Sequence, residues 1–173
     1  MINGSRRGVF TSLFGNKKAH KNQNELCIVR PPYHQEGYEF STYCVTCQDT
    51  PCMEACEENI ITLDATTHTP CLDFTKRGCT FCEACAKACP SGVLSLDSKD
   101  GERLQAKAEI DIMACMAWHQ SLCNSCLDAC EPRAILFLGL FRPSIEADVC
   151  TGCGMCVGIC PSDAIVIKAK ENA

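Results

Sequence analysis

The residues of this chain best suited to chemistry are its cysteines, eighteen in 173 residues. Sixteen of them fall into four groups of four: Cys44, Cys47, Cys52 and Cys56; Cys79, Cys82, Cys85 and Cys89; Cys115, Cys123, Cys126 and Cys130; Cys150, Cys153, Cys156 and Cys160. The second and fourth groups share the spacing Cys-x2-Cys-x2-Cys-x3-Cys-Pro. The first has an x4 gap before Cys52, and the third an x7 gap after Cys115. Three thiolates a few residues apart can wrap one face of an Fe4S4 cube, and a fourth carried on by a helical turn points toward a neighbouring cube. The chemistry expected is one-electron exchange through four [4Fe–4S] clusters per chain, with all sixteen cysteines as iron ligands.

Two other uses of dense cysteine compete with this reading. Structural zinc sites gather two separated Cys-x2-Cys knuckles into one tetrahedron, whereas each group here packs its cysteines into one run. A disulfide scaffold is disfavoured because cysteines three residues apart are poor partners in extended chain, and no cleavable secretory signal is evident. The run of the second and fourth groups is that of bacterial ferredoxins, in which the fourth cysteine serves the other cluster of a pair. Crossed in this way, Cys44, Cys47 and Cys52 join Cys89, and Cys79, Cys82 and Cys85 join Cys56. Likewise Cys115, Cys123 and Cys126 join Cys160, and Cys150, Cys153 and Cys156 join Cys130. A nested pairing of the first group with the fourth stays open.

The elements needed to position these loops are short. Each group is followed by a β-type run: Ile60–Leu63, Val93–Leu96, Ala134–Phe137 and Ala164–Ile167. Further runs at Pro70–Phe74 and Pro143–Ala147 precede the second and fourth groups. The repeating unit is strand, cysteine loop, helical turn, strand, in two pairs over 39–98 and 108–168. The charged stretch Asp97–Glu102 reads as the joint between them. The fold class is α+β, two tandem bacterial 2[4Fe–4S] ferredoxin-like half-domains at 39–100 and 101–173. Residues 1–38, with Arg6, Arg7, Lys17, Lys18, Lys21 and Arg30, read as a basic, extended N-terminal arm.

Composition agrees with a metal-filled interior. Hydrophobic residues make up 46 %, but that figure counts the cysteines; without them the share is roughly 36 %, little for a hydrocarbon core. Net charge is −5 and would fall to about −13 with four oxidised clusters. No basic surface speaks for nucleic acid. No stretch approaches the roughly eighteen apolar residues of a membrane span. No glycine-rich nucleotide loop follows a strand, and no nucleophile sits with a base, so no catalytic residue and no enzyme activity is expected.

Several residues have a sharp and a bland reading. Cys27 and Cys71 lie outside the groups and read as small hydrophobes. Trp118 and His119 lie in the x7 loop; shielding suits Trp118, and a surface position suits His119, since four cysteines already complete that set. Glu57, Glu58, Glu83 and Asp128 read as a solvated face. Ser5-Arg6-Arg7-Gly8 looks like a twin-arginine export signal, but the apolar run that export requires breaks off at Asn16-Lys17-Lys18.

Taken together, Ser5-Arg6-Arg7-Gly8, Arg30-Pro31-Pro32, Cys56-Glu57-Glu58-Asn59-Ile60, the x7 gap and Cys130-Glu131-Pro132-Arg133-Ala134-Ile135 resemble the NapF family. These are ferredoxin-type accessory proteins of the periplasmic nitrate reductase system. The x4 gap before Cys52 departs from the x2 expected. The resemblance implies a cytoplasmic protein whose partner is the precursor of the nitrate reductase catalytic subunit. It further implies help with that subunit's maturation, by iron–sulfur cluster loading before export. The alternatives are a general electron-transfer ferredoxin or an electron-wire subunit of an oxidoreductase complex.

Overall fold

Closely spaced cysteine loops leave room for one-turn helices and strands of three to five residues. The computed structural model describes residues 28–99 and 101–170. Five helices occur in it: α1 (Phe40–Tyr43), α2 (Pro51–Glu54), α3 (Ala84–Lys87), α4 (Ser125–Asp128) and α5 (Met155–Gly158). A 3₁₀ turn covers Met116–His119. The six strands are β1 (Ile61–Leu63), β2 (Pro70–Leu72), β3 (Ala106–Ile110), β4 (Ile135–Leu138), β5 (Phe141–Ile145) and β6 (Ile165–Ala169). No described helix is long and apolar enough to cross a membrane.

The strands pair as three antiparallel ribbons, β1–β2, β4–β5 and β3–β6. In the second unit the hairpin β4–β5 is enclosed between the two cysteine loops, and β3 closes against β6 from Ala106↔Ala169 to Ile110↔Ile165. The first unit repeats this plan with β1–β2 as its hairpin. Its closing pair is reduced to a single bridge, His34↔Leu94, flanked by Gln35 N–H to the Val93 carbonyl (2.9 Å) and Ser95 N–H to the Tyr33 carbonyl (2.8 Å). The run expected as a strand at Val93–Leu96 is therefore this bridge. The run expected at Pro143–Ala147 begins earlier, at Phe141. Pro143 has no N–H for a ladder and lies next to an irregularity at Phe137/Leu138, which a two-stranded ribbon tolerates.

Each run that follows a cysteine group is launched by the same backbone device. The third residue after the fourth cysteine is left-handed in all four groups: Asn59 (φ 54°), Gly92 (71°), Arg133 (55°) and Asp163 (50°). Asn, Gly and Asp enter this region most readily; Arg133 does so without that help. The proline after Cys89 and Cys160 is thus not the general terminator, since Cys56 and Cys130 are followed by glutamate. Just beyond the left-handed residue come the core pairs Ile60–Ile61, Val93–Leu94, Ala134–Ile135 and Ala164–Ile165, all 5 % exposed or less.

The basic arm expected over 1–38 needs correcting where it can be seen. Residues 1–27, including Arg6, Arg7 and Cys27, lie outside the described residues. Residues 28–38 are not an arm but the first segment of the first unit. Val29 and Tyr33 are buried in its core, and the Val29 carbonyl accepts the Leu72 amide at 2.9 Å. Arg30 donates to Thr69 Oγ1 at 2.6 Å and to the Pro70 carbonyl at 2.8 Å, with its guanidinium 5.0 Å from the Phe40 ring centroid. Its charge serves packing. Tyr33→Ala should accordingly destabilise the metal-loaded protein by about 3–5 kcal/mol, the usual loss for a buried aromatic, in anaerobic denaturant unfolding followed by visible absorbance. A loss below about 0.5 kcal/mol, typical of surface positions, would return these residues to an arm.

Candidate metal centres

The sixteen grouped cysteines are brought together as four sets, each lining its own cavity. Cys44, Cys47, Cys52 and Cys89 surround one, open at its mouth. Cys56, Cys79, Cys82 and Cys85 surround another. In the second unit, Cys115, Cys123, Cys126 and Cys160 line a third, and Cys130, Cys150, Cys153 and Cys156 a fourth. Three cysteines come from one loop and the fourth from the partner loop of the same unit. The nested arrangement of first with fourth group is not the one adopted.

One-turn helices produce this crossing. Each carries a third cysteine (Cys52, Cys85, Cys126, Cys156) and ends at a C-cap (Ala55, Ala88, Ala129, Ile159) immediately before the fourth. Residues four apart on a continuing helix share a face. Here they line different cavities, and the helices stop between them. The x4 gap is absorbed ahead of α2, where Thr50 is left-handed (φ 38°) and Pro51 opens the helix, so Cys52 still reaches its cavity. The x7 gap is taken up by the 3₁₀ turn and a left-handed Gln120.

The donor sets suit an iron–sulfur cube better than a single ion. Among the described residues no group of three or more His, Cys, Asp or Glu converges closely enough for one metal ion. Four sulfurs spread around an apolar hollow match a larger group bound through its corners. Burial and then neighbouring cysteine charge push the thiols up: Cys85 and Cys156 to about 12, Cys79 and Cys126 to about 11, and Cys44 likewise to about 11. Without metal these thiols keep their protons at neutral pH, and iron must displace them. Cys89 is shifted the other way. Burial raises it, but the Leu94 amide, the Ser91 hydroxyl and the Ser91 and Val93 amides outweigh burial and lower it overall. Comparable amide bonds reach Cys130 Sγ from Ala134 (3.2 Å) and Cys160 Sγ from Ala164 (3.3 Å).

The remaining candidates fall outside the sets. Cys71 sits on β2 opposite Thr62, its Sγ 3.4 Å from Thr62 Oγ1, and lines none of the four cavities. His119 Nε2 contacts the Met113 carbonyl at the surface, 2.9 Å away. Trp118 does not line the cavity either; its Nε1–H donates to the Pro143 carbonyl at 3.2 Å. It braces the x7 loop against β5, leaving Met116 and Pro143 to cover the site. Glu58 pairs with Arg77 and Glu83 with Lys87, both at the surface; Glu57 and Asp128 are exposed. Sequence reasoning missed Tyr33, whose hydroxyl donates to the Phe81 carbonyl at 2.7 Å beside a cavity. It also missed Ser91 and Ser162, each beside a fourth cysteine; the repeated Cys-Pro-Ser was the available signal.

Comparison with known proteins agrees with this chemistry. The 4Fe-4S dicluster domain family matches residues 43–93, 78–134 and 121–164. The middle match joins the second and third groups, so the matches alone leave the pairing undecided; the fold supplies it. The chain is 35 % identical to the "Ferredoxin-type protein NapF" of Escherichia coli (strain K12) over 171 residues, covering 96 % of each chain. It is 32 % identical to NapF of Haemophilus influenzae, covering 96 % of this chain and 93 % of that one. The chain belongs to the NapF family of ferredoxin-type iron–sulfur proteins. Within curated relatives the likeness extends to the "Ferredoxin-type protein NapG" of Haemophilus influenzae, 29 % identical over 90 % of this chain and 63 % of that one.

In this NapF-family chain, Ser91 Oγ lies 3.6 Å from Cys89 Sγ and Ser162 Oγ 3.7 Å from Cys160 Sγ. When the sulfur is a thiolate only the hydroxyl can donate, and donation favours the more negative, reduced state. Ser91→Ala should lower the reduction potential of the centre containing Cys89 by roughly 20–60 mV, the one-electron equivalent of a typical hydrogen bond. Iron content should be unchanged. Ser162→Ala should do the same to the centre containing Cys160, in potentiometric titrations monitored by paramagnetic resonance; a rise in potential would contradict the assigned donor direction.

Proposed function

We propose that the chain carries four [4Fe–4S] clusters on its sixteen grouped cysteines and serves the nitrate reductase system as an accessory protein. In this reading it acts in the cytoplasm on the precursor of the periplasmic nitrate reductase catalytic subunit, loading that subunit's iron–sulfur centre before export. The carrying observation is the four cavities, each with four cysteines drawn from two loops. Bound clusters would supply one-electron exchange and a store of iron and sulfide. The chain's own part is to hold four thiol donors per site, exclude water with the strand-leading apolar pairs, and donate amide hydrogens to the fourth sulfur. The partner rests on the family.

Metal analysis, ligand substitution, affinity capture and an export reporter test the reading. Anaerobically purified protein should contain about sixteen iron and about sixteen sulfide per chain, unchanged by Cys71→Ser. Cys56→Ser should alter the centre held by Cys79, Cys82 and Cys85 while sparing the primary ligands of its neighbour, and Cys89→Ser should do the reverse; iron near eight with stoichiometric zinc would end the four-cluster proposal. Affinity capture from anaerobically grown cells should recover the unprocessed catalytic subunit, and a reporter active only after twin-arginine export should stay silent when fused to this chain. Capture of only the mature periplasmic form would remove the maturation role.

A further inference from the structure

The loops of the second and fourth cysteine groups belong to different units, yet they touch backbone to backbone. The Cys79 amide donates to the Cys153 carbonyl at 2.7 Å. Around this bond the chain from Phe74 to Cys79 lies along α5 and the residues before it, backbone against backbone at Gly78 and Gly158, and with the Phe74 ring on Gly154. A Cβ on Gly78 would stand 2.7 Å from the Cys153 carbonyl oxygen and overlap the Met155 amide. A Cβ on Gly154 would enter the Phe74 ring, and one on Gly158 would overlap the Lys76 carbonyl. Gly154 also has a positive φ of 77°, but Gly78 and Gly158 do not, so close approach is what these two require. The contact is fixed from the side as well, because Leu104 and Ala106 at the start of the second unit are buried in the core of the first.

Cys79 lines one inner cavity and Cys153 with Gly154 lines the other. The cavities of Cys44 and of Cys115 include no residue of the seam. Resting on the cluster reading above, we propose that the glycine seam is an electronic junction. It ties the loops of the Cys79 and Cys153 sites together through one backbone hydrogen bond, so that all four sites act as one series. The sites of Cys44 and Cys115 are its two ends. With clusters bound, an electron crossing the seam would oxidise one inner site and reduce the other, with no bond broken and no proton moved.

The test uses two full-length variants. One carries Cys44→Ala, Cys47→Ala, Cys115→Ala and Cys123→Ala, removing the end sites. The other carries Cys79→Ala, Cys82→Ala, Cys150→Ala and Cys153→Ala, removing the inner sites. Parent iron of about sixteen and about eight in each variant establishes the sites; a parent value well short of sixteen overturns the cluster reading on which the junction rests. After reduction with dithionite, low-temperature paramagnetic resonance of the first variant should show two magnetically coupled centres, and the second variant two isolated ones. A first-variant spectrum that is the plain sum of two isolated centres overturns the junction while leaving the four-cluster reading intact. Gly78→Val in the otherwise native chain gives a second reading that needs no ligand removed. Loss of the inner coupling, or of iron from the inner pair first, supports the junction. An unchanged spectrum, or iron lost equally from all four sites, overturns it.

Discussion

Convergence of a fourth cysteine from one loop onto three cysteines of its partner loop is the constraint from which the other features follow. It requires the two loops of a unit to lie side by side, which the hairpins β1–β2 and β4–β5 bring about by reversing the chain between them. It also requires each helix to end between its third and fourth cysteine, which limits all four to one turn. The left-handed residue three positions later then turns the chain back, and the next two residues are buried against the site. With hydrocarbon so scarce, donor groups occupy much of the interior. Protonated, crowded thiols fill it poorly, so acquiring metal and acquiring a fixed structure are one process for such a chain.

Much of this was legible in the sequence because cysteine spacing is a geometric statement. The four groups, the crossed sets and the runs after Cys56, Cys130 and Cys160 could all be read from residue order. What failed was averaging. Charge averaged over residues 1–38 joins 28–38 to the basic segment before them, which hides Val29 and Tyr33 as core and the bonds of Arg30 to Thr69 and Pro70. The run Val93–Leu96 has strand composition, yet its partner is only the short stretch around His34, so one bridge forms. The glycine seam was not legible. Gly78 beside Cys79 and Gly154 inside an x2 gap read as ordinary loop glycines, and their role depends on a contact between distant parts of the chain.

The two units are built alike but closed unequally. The second is tied by the five-residue ladder β3–β6. The first has one bridge and two flanking amide bonds, supplemented by Arg30, the Tyr33 hydroxyl and the Ser98 hydroxyl donating to the His34 carbonyl at 2.7 Å. A short, partly exposed closure opens more readily than a continuous ladder. The seam offsets this weakness, since Phe74 and the chain up to Cys79 are held against α5, and Leu104 and Ala106 lend apolar surface to the first unit's core. The first unit therefore borrows rigidity from the second, and the borrowing is strongest at the Cys79 loop and weakest at the Cys44 loop. That gradient sets the site of Cys44, Cys47, Cys52 and Cys89 apart from the other three: it lies against the weak closure through Leu94, away from the seam, and behind the loop with the two-residue insertion.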